Sequence, residues 1–211
     1  MIDFYTWFTP NGRKVAIMLE ETGLDYTVHP IAIGGNVDQF TPEFTKISPN
    51  NKIPAIVDHD TNISLMESGA ILMYLGEKTG KFFPTDEKKR WQTIEWLMWQ
   101  MGGLGPMLGQ VHHFTRYNPG KDAYGEERYM KEGKRLYEVL DRHLGDREFV
   151  AGDYSIADMA CWPWIARHNW QTIDLNDYPN VKRWYMAIVS RPAVVKAWNI
   201  PENDQPLPIP E

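Results

Sequence analysis

The turn Thr9–Gly12 (TPNG) places a hydroxyl and a carboxamide between a strand-like run and a helix-like run. A free thiol has a pKa of about 8.5, so only a small fraction is thiolate at neutral pH. A charge-assisted hydrogen bond stabilises such an anion by about 1.5–3 kcal/mol, and a helix N-terminus by about 0.3–1 kcal/mol. Thr9 and Asn11 can therefore activate a thiol, yet the turn contains no cysteine. We predict that they stabilise the sulfur of a bound molecule.

The single cysteine, Cys161, lies in the apolar stretch IADMACWPWIA and is the rival source of thiol chemistry. We interpret it as a packing residue of a buried helix, where a thiol is unreactive. One cysteine excludes an intrachain disulfide and an all-cysteine metal site, and it fits a reducing, cytoplasmic location. His112 and His113 are adjacent, so they point about 100° apart on a helix and lack the spacing of a helical metal pair. We expect no metal site.

Pro54 stands directly before an apolar run in the stretch NNKIPAIV. A proline in a sheet is confined to a strand start, an edge strand or a bulge. If the Ile53–Pro54 bond is cis, the backbone N–H and C=O of Ile53 are exposed and can pair with an extended peptide ligand. The alternative is a trans proline that only begins a strand.

Glu67 and Ser68 lie where the helix-like run of MESGAIL begins. Free backbone N–H groups and the positive helix end suit such a position to an anion. An α-carboxylate can bind at Ser68 and the matching α-ammonium at Glu67, whereas the alternative is a plain helix cap. Gln39 and Lys52 lie in nearby loops and can hold a second carboxylate or simply be solvated.

Composition excludes several other classes of function. The 211 residues carry a formal net charge of −6 without a basic run, which argues against nucleic-acid binding. The chain begins without the basic segment and apolar core of a secretory signal, so we expect no export. Residues 97–115 contain no charged side chain. Their glycines, Pro106, glutamines and histidines nevertheless predict a buried, kinked helix and not a membrane span.

The first eighty residues alternate strand-like and helix-like runs. A strand–helix–strand unit of this length implies a parallel pair, and two further apolar runs flank a polar turn, as in a hairpin. Gly23 and Gly80 end helices, while Thr41 and Pro42 begin one. The order predicts a mixed four-stranded sheet with helices packed on it. The strands are expected over 1–7, 26–33, 54–58 and 63–66, and the helices over 12–23, 41–47 and 67–80.

Strand patterns end near Phe83, and from Lys88 onward the chain has the pattern of long helices. One of them begins with a capping box, in which Ser155 and Asp158 exchange hydrogen bonds for about 1 kcal/mol. The prolines of the last residues exclude a helix there. We predict a mixed α/β domain over 1–83, an all-helical domain over 88–200 and a proline-spaced extended tail over 201–211.

With TPNG, NNKIPAIV, ESGAI and YSIADMACWPW in place, the chain resembles the cytosolic glutathione transferases over nearly its whole length. The strings SPNNKIPAIVDH and WQMGGLGPMLGQVHHF are similar to those of the Nu-class bacterial glutathione-dependent disulfide-bond oxidoreductases. The resemblance implies an α/β plus all-α fold. It consists of a thioredoxin-like N-terminal domain with a mixed four-stranded sheet and an all-helical C-terminal domain, in a homodimer.

The resemblance also implies a ligand, glutathione, as reduced thiol or oxidised disulfide. Ile53, before a cis Pro54, would pair with its cysteinyl unit, and Thr9 and Asn11 would face the sulfur. The remaining implied contacts are Glu67 and Ser68 with the γ-glutamyl end, Gln39 and Lys52 with the glycyl end, and Arg128 from the helical domain. Gln100 is a further candidate, because it can reach a cleft between the two halves.

Three functions remain open at this stage. The leading one is reduction of small disulfides by two glutathione thiols without a protein cysteine. The second is a glutathione transferase or peroxidase acting on small electrophiles. It is weakened because Trp7 and Thr9 stand where other classes carry tyrosine, serine or cysteine. The third is a non-catalytic glutathione-binding interaction module. None of the three requires a metal, nucleic acid or a membrane.

Overall fold

The computed structural model describes residues 1–34 and 38–210. The described residues form two compact units. Among these residues, the first unit contains four strands and four α-helices, and the second contains five α-helices. The strands are β1 (Ile2–Thr6), β2 (Tyr26–Pro30), β3 (Ala55–Asp58) and β4 (Ile63–Met66). The helices of the first unit are α1 (Pro10–Thr22), α2 (Pro42–Ile47), α3 (Ser68–Thr79) and α9 (Pro192–Trp198).

The sheet of the first unit has the strand order β2-β1-β3-β4. Strand β1 pairs parallel with β2 and antiparallel with β3, and β3 and β4 form an antiparallel hairpin. Burial alternates along β1, as expected for a strand with one face in the core. The mixed four-stranded sheet and thioredoxin-like arrangement predicted from the sequence are confirmed, and the hairpin turn falls at the predicted residues 59–62.

Local signals set the helix ends of this unit. The Oγ1 of Thr9 caps α1 and that of Thr41 caps α2, and each cap is followed by proline at the first helical position. Gly23 and Gly80 end α1 and α3 with φ of 71° and 66°, a region that favours glycine. The core between sheet and helices contains Phe4, Val15, Ile17, Met18, Leu19, Ile56, Ile71, Leu72 and Leu75.

The first unit also includes a segment from the other end of the sequence, Arg191–Leu207. Trp198 of α9 stacks on the fully buried Arg13 of α1, with 3.4 Å between the guanidinium carbon and the ring centroid. Arg13 also donates to Gln205 Oε1 at 3.0 Å, and the Trp198 indole N–H donates to the backbone of Gln205 and Pro206. We name this segment the C-terminal clasp.

The clasp corrects the predicted division of the chain. Residues 191–200 were assigned to the helical domain and 201–211 to a separate tail, but Arg191–Leu207 packs with the first unit. The reason is long-range: Trp198 and Gln205 bond Arg13, almost two hundred residues earlier. Residues 201–210 are without helix or strand, as their prolines predict, and Glu211 lies outside the described residues.

The second unit is helical: α4 (Glu87–Trp99), α5 (Gly105–Val111), α6 (Ala123–His143), α7 (Ile156–Ile165) and α8 (Pro179–Val189). Two π-helical turns, Gln100–Leu104 and His112–Tyr117, interrupt the path from α4 through α5. They occur within the stretch predicted to be a kinked helix, and π turns are a recognised cause of kinks. A side chain on Gly105 would collide with Gln100 and Trp164, so close packing requires glycine there.

The capping box at α7 is present as predicted, with Ser155 and Asp158 as its two members. Cys161 lies on the same helix and is completely buried, which agrees with its interpretation as a packing residue. Among the described residues no helix is both long and apolar enough to cross a membrane.

Candidate functional site

Sheet register brings three loops to one edge of the first unit. Tyr5 near the end of β1 pairs with Ala55 at the start of β3, and Ala55 in turn pairs with Met66 at the end of β4. The turn after β1, the loop before β3 and the turn after β4 therefore leave the sheet at the same edge. They carry seven of the predicted site residues: Thr9, Asn11, Lys52, Ile53, Pro54, Glu67 and Ser68.

In the first of these loops, Thr9 has an extended backbone and its Oγ1 accepts the N–H of Gly12 at 3.2 Å. This contact uses a lone pair of the hydroxyl and leaves its proton able to donate to an anion. Asn11 is the second residue of α1 and is partly exposed. The turn thus combines a hydroxyl, a carboxamide and a helix N-terminus, three features that favour a thiolate.

The loop before β3 contains the cis bond predicted between Ile53 and Pro54. Ser48 holds the loop: its Oγ donates to the backbone C=O of Lys52 at 2.8 Å and accepts the Lys52 N–H. Within residues 1–34 and 38–210, no backbone hydrogen bond of Ile53 is formed, and the residue is partly exposed. Its N–H and C=O can therefore pair with an extended ligand.

The turn after β4 leads into α3 without a side-chain cap. Glu67 occupies the N-cap position with φ of 72° and ψ of 111°, and its exposed carboxylate makes no capping hydrogen bond. Ser68, the first residue of α3, is only 3% exposed. The helix therefore directs backbone donors and its positive end toward the site, while Glu67 supplies an adjacent negative charge. This arrangement fits a group that carries both a carboxylate and an ammonium.

Lys14 is a further polar residue in this region that the sequence analysis did not include among its candidates. It lies on α1, is 1% exposed, and its Nζ donates to Ser68 Oγ at 3.4 Å. A usable signal was present, because Lys14 follows Asn11 by three residues and shares its face of the helix. It also lies within the run Gly12–Leu19, every member of which is buried.

Gln39 and Lys52 lie in loops on either side of α2. Gln39 belongs to the short 3₁₀ turn Asp38–Phe40 and is partly exposed, and Lys52 is exposed. Both side chains are thus accessible to a ligand, and their contact with its glycyl end stays a prediction.

The two site candidates in the helical unit differ from one another. Arg128 is exposed on α6 and lines a surface cleft of about 1120 Å³ that includes Tyr124 and Arg135. Gln100 is completely buried, and its amide lies beside Gly105 in the π turn after α4. Burial does not favour direct contact of Gln100 with a ligand, so its predicted role has no support from its environment. For Arg128 the role stays a prediction.

Carboxylates and imidazoles do meet elsewhere in the first unit. Asp3 accepts hydrogen bonds from His29 at 3.0 Å and His59 at 2.7 Å, and these interactions hold the pKa of Asp3 below its usual range despite partial desolvation. In the part of the chain that the structure describes, no group of three or more His, Cys, Asp or Glu side chains has metal-binding geometry.

Comparison with known proteins identifies the family. Residues 8–78 match the N-terminal domain model of glutathione S-transferases and residues 106–192 match the C-terminal domain model. The chain is 52% identical to the disulfide-bond oxidoreductase YfcG of Escherichia coli, over 93% of this chain and 94% of that protein.

Two solved structures extend the comparison. A Burkholderia graminis glutathione transferase with two glutathione molecules bound per subunit has a TM-score of 0.89 and 44% identity, covering 96% of this chain and 89% of that one. A Pseudomonas putida glutathione transferase with one glutathione disulfide per subunit has the same TM-score and identity, covering 95% and 91%. The chain belongs to the glutathione transferase family.

Proposed function

We propose that this chain is a glutathione-dependent disulfide-bond oxidoreductase, which reduces small disulfides with two glutathione thiols and no protein cysteine. The observation that carries the proposal is the pairing of Thr9 and Asn11 at the N-terminus of α1 with the complete burial of Cys161. The site has the donors that stabilise a thiolate but has no thiol of its own. The names of its relatives, which include a disulfide-bond oxidoreductase, support the same reaction.

The reaction follows from thiol–disulfide exchange. A glutathione thiolate attacks one sulfur of the disulfide, forms a mixed disulfide and releases the other sulfur as a thiolate, which takes up a proton. A second glutathione thiolate then attacks the glutathione sulfur of the mixed disulfide. Oxidised glutathione forms and the second substrate thiol leaves. Two thiols are oxidised and one disulfide is reduced, so the electrons balance without a metal or further cofactor.

Each loop at the sheet edge has a role in holding the first glutathione. Thr9 and Asn11 donate to its sulfur, and the backbone of Ile53 before Pro54 pairs with its cysteinyl unit. Ser68 and the α3 N-terminus bind the α-carboxylate, and Glu67 binds the α-ammonium. Gln39 and Lys52 hold the glycyl carboxylate. The support lies in the convergence of these loops and in the partial exposure of Thr9, Asn11 and Ile53.

The finer assignments also form part of the proposal. We place the chain in the Nu class, on the strings that it shares with that class, and propose a cytoplasmic homodimer in which Arg128 meets a glutathione. The two family-model matches and the YfcG relative support this placement. Arg128 is exposed on α6, as such a contact requires.

Reduction of a small model disulfide, hydroxyethyl disulfide, tests the function, with glutathione oxidation followed through glutathione reductase and NADPH. We expect clear wild-type activity, unchanged activity in Cys161→Ala, and a loss of about 10–100-fold in Asn11→Ala, the effect of one charge-assisted hydrogen bond. Cys161→Ala is the matched control because it removes the chain's own thiol. A wild-type rate equal to the uncatalysed rate would contradict the proposal.

The free proton of the Thr9 hydroxyl favours conjugation of glutathione to electrophiles as a second candidate function, because that proton can stabilise the attacking thiolate. Thr9→Ala separates the two: loss of conjugation to an activated aryl halide with retained disulfide reduction assigns the activities to different groups. Strong conjugation without any disulfide reduction would favour the transferase. A non-catalytic glutathione-binding module would bind glutathione, which a titration calorimeter measures directly, but would catalyse neither reaction.

A further inference from the structure

We infer that Trp198 of the C-terminal clasp is a positioning residue for the proposed reaction. It holds Arg13 and thereby fixes the first turn of α1, whose hydroxyl and carboxamide donate to the glutathione sulfur. The inference rests on the proposed function, because it concerns how that same site stabilises a thiolate.

The clasp contacts α1 at both ends of the helix. Arg191, directly before α9, donates to the Glu21 carboxylate in the last turn of α1, with 3.0 Å from its Nη2 to Oε2. Trp198, the last residue of α9, covers the guanidinium of Arg13 near the start of α1. Helices α1 and α9 are therefore antiparallel, and the contact between Trp198 and Arg13 is the one next to the site turn.

Arg13 connects the clasp with the site by a short path. Its backbone N–H donates to the Thr9 C=O at 3.0 Å, which is the first helical hydrogen bond of α1. Its buried side chain donates to the Trp198 C=O at 3.4 Å and to Gln205 Oε1 at 3.0 Å. Asn11 lies two residues earlier, about 200° around the helix, so it is partly exposed while Arg13 is buried. A displacement of Arg13 therefore also displaces Thr9 and Asn11.

A second close contact holds the same turn. A Cβ on Gly12 would collide with the Trp7 C=O and with Thr6 Oγ1, so the start of α1 packs tightly on the end of β1. The turn is thus held both by the strand end and by the clasp. Catalytic groups must be held within about 0.5 Å of their productive position, and a misplacement of about 1 Å can lower a rate about 100-fold. The Trp198 indole therefore contributes to the chemistry as well as to the stability of the unit.

The test measures the pKa of the glutathione thiol bound to the full-length protein, from the ultraviolet absorbance of the thiolate as pH is raised. The wild type should hold this pKa below the free value of about 8.5. We expect Trp198→Ala to raise it by about 1, because the donors no longer meet the sulfur. At a pH below both pKa values, kcat/KM for hydroxyethyl disulfide should then fall by up to about 10-fold. At a pH above both values, the two proteins should have similar rates.

S-Methylglutathione separates this effect from a general loss of binding, because its sulfur cannot ionise. Calorimetric titration should give the same affinity for S-methylglutathione in the wild type and in Trp198→Ala. Trp198→Phe restores an aromatic face over Arg13, where a guanidinium stacks favourably, and should recover most of the wild-type thiol pKa.

Two further variants keep the test decisive. Arg191→Met is the matched control, since it removes a contact of the same clasp at the far end of α1. It should lower stability and leave the pKa of the bound thiol unchanged. If Trp198→Ala does not fold, Gln205→Ala removes an acceptor of Arg13 and keeps the indole. We expect it to raise the thiol pKa in the same direction by a smaller amount.

A wild-type thiol pKa in folded Trp198→Ala, or in Gln205→Ala where the first variant does not fold, would overturn the inference. Equal rises of the thiol pKa in Trp198→Ala and Arg191→Met would overturn it as well, because they would show a general structural role of the clasp. Absence of glutathione binding and of disulfide reduction in the wild type would overturn the proposed function itself, so the two failures are distinguishable.

Discussion

Each unit has a helix that begins beside an acidic residue, but the two helix ends differ in their hydrogen bonds. At the start of α7, Asp158 accepts hydrogen bonds from the backbone of Val150 at 2.9 Å and of Ser155 at 3.0 Å, and from the Trp184 indole at 2.8 Å. At the start of α3, Glu67 makes no side-chain cap and its backbone has a φ of 72°. The N-terminus of α7 is therefore closed, in that side chains of the protein cap it, whereas the N-terminus of α3 is open, in that it has no side-chain cap and faces the site.

Of these two helix ends, only the start of α3 still has backbone donors that can bind a ligand. At a capped helix N-terminus the backbone N–H groups are already hydrogen-bonded within the protein. Such an end stabilises the fold but has few donors left for a ligand. An open end beside a strained residue gives up stability and retains donors, a combination that occurs at functional sites. The three predictions that follow test this contrast, beginning with the largest effect.

The largest effect on stability is expected from removing the Asp158 side chain at the start of α7. Asp158→Ala would leave the Val150 and Ser155 N–H groups and the Trp184 indole N–H buried without their acceptor. At about 1–3 kcal/mol for each unsatisfied donor, we expect the free energy of unfolding in urea to fall by about 4 kcal/mol. The control is Asp122→Ala, which removes the exposed cap of α6 and should cost about 1 kcal/mol. Equal effects of the two changes would contradict the contrast.

A second effect concerns pH and the closed polar cluster around His112. Burial, together with the cations of Arg167 and Arg116, lowers the pKa of His112 to about 4. Its Nε2 faces the amide nitrogen of Gln171 at 3.2 Å, a contact that suits a neutral ring.

His112 is therefore protonated near pH 6.5 in the unfolded chain but only near pH 4 in the folded chain. Because the unfolded state binds more protons between these two values, the free energy of unfolding decreases as pH falls through this range. Relative to His112→Gln, which keeps an acceptor for Gln171, the wild type should lose about 2–3 kcal/mol between pH 7 and pH 4. Parallel urea titrations at the two pH values measure this difference. If the free energy of unfolding changed equally with pH in the wild type and in His112→Gln, the prediction would be wrong.

The smallest expected effect on stability is a gain and not a loss. Glu67→Gly removes a side chain from a backbone conformation that favours glycine, and we expect a gain of about 1 kcal/mol in stability. Glutathione should bind more weakly, because the partner of its ammonium is lost. The control Glu77→Gly, in the last turn of α3, should instead destabilise by up to about 1 kcal/mol. A Glu67→Gly protein that is less stable than wild type would remove the evidence for strain.

Structural features that depend only on residues close together in the chain could be predicted from the sequence. The capped start of α2, the glycine ends at Gly23 and Gly80 and the capping box of α7 are local, so residue type and spacing determine them. The convergence of the three site loops was implied only by the family resemblance, because no single stretch of sequence determines the strand order that brings these strand ends together.

Features that depend on distant residues could not be predicted. Lys14 meets Ser68 across 54 positions, and the pattern of α1 indicates only that one face is buried. Gln100 was expected in a cleft, but the π turn after α4 directs it into the core, and a turn of this type has no reliable sequence signature. The clasp was missed for the same reason, since a tryptophan in a helical stretch does not reveal which surface it covers.

The clasp has a consequence for the order of synthesis. Residues 191–207 follow the helical unit in the sequence, so a ribosome makes them after α8, although they complete the unit that begins at the first strand. Until they emerge, the guanidinium of Arg13 is without the indole that covers it. A chain stopped at residue 190 should therefore be cut readily within α1 by a protease, and adding a peptide of residues 191–207 should protect it.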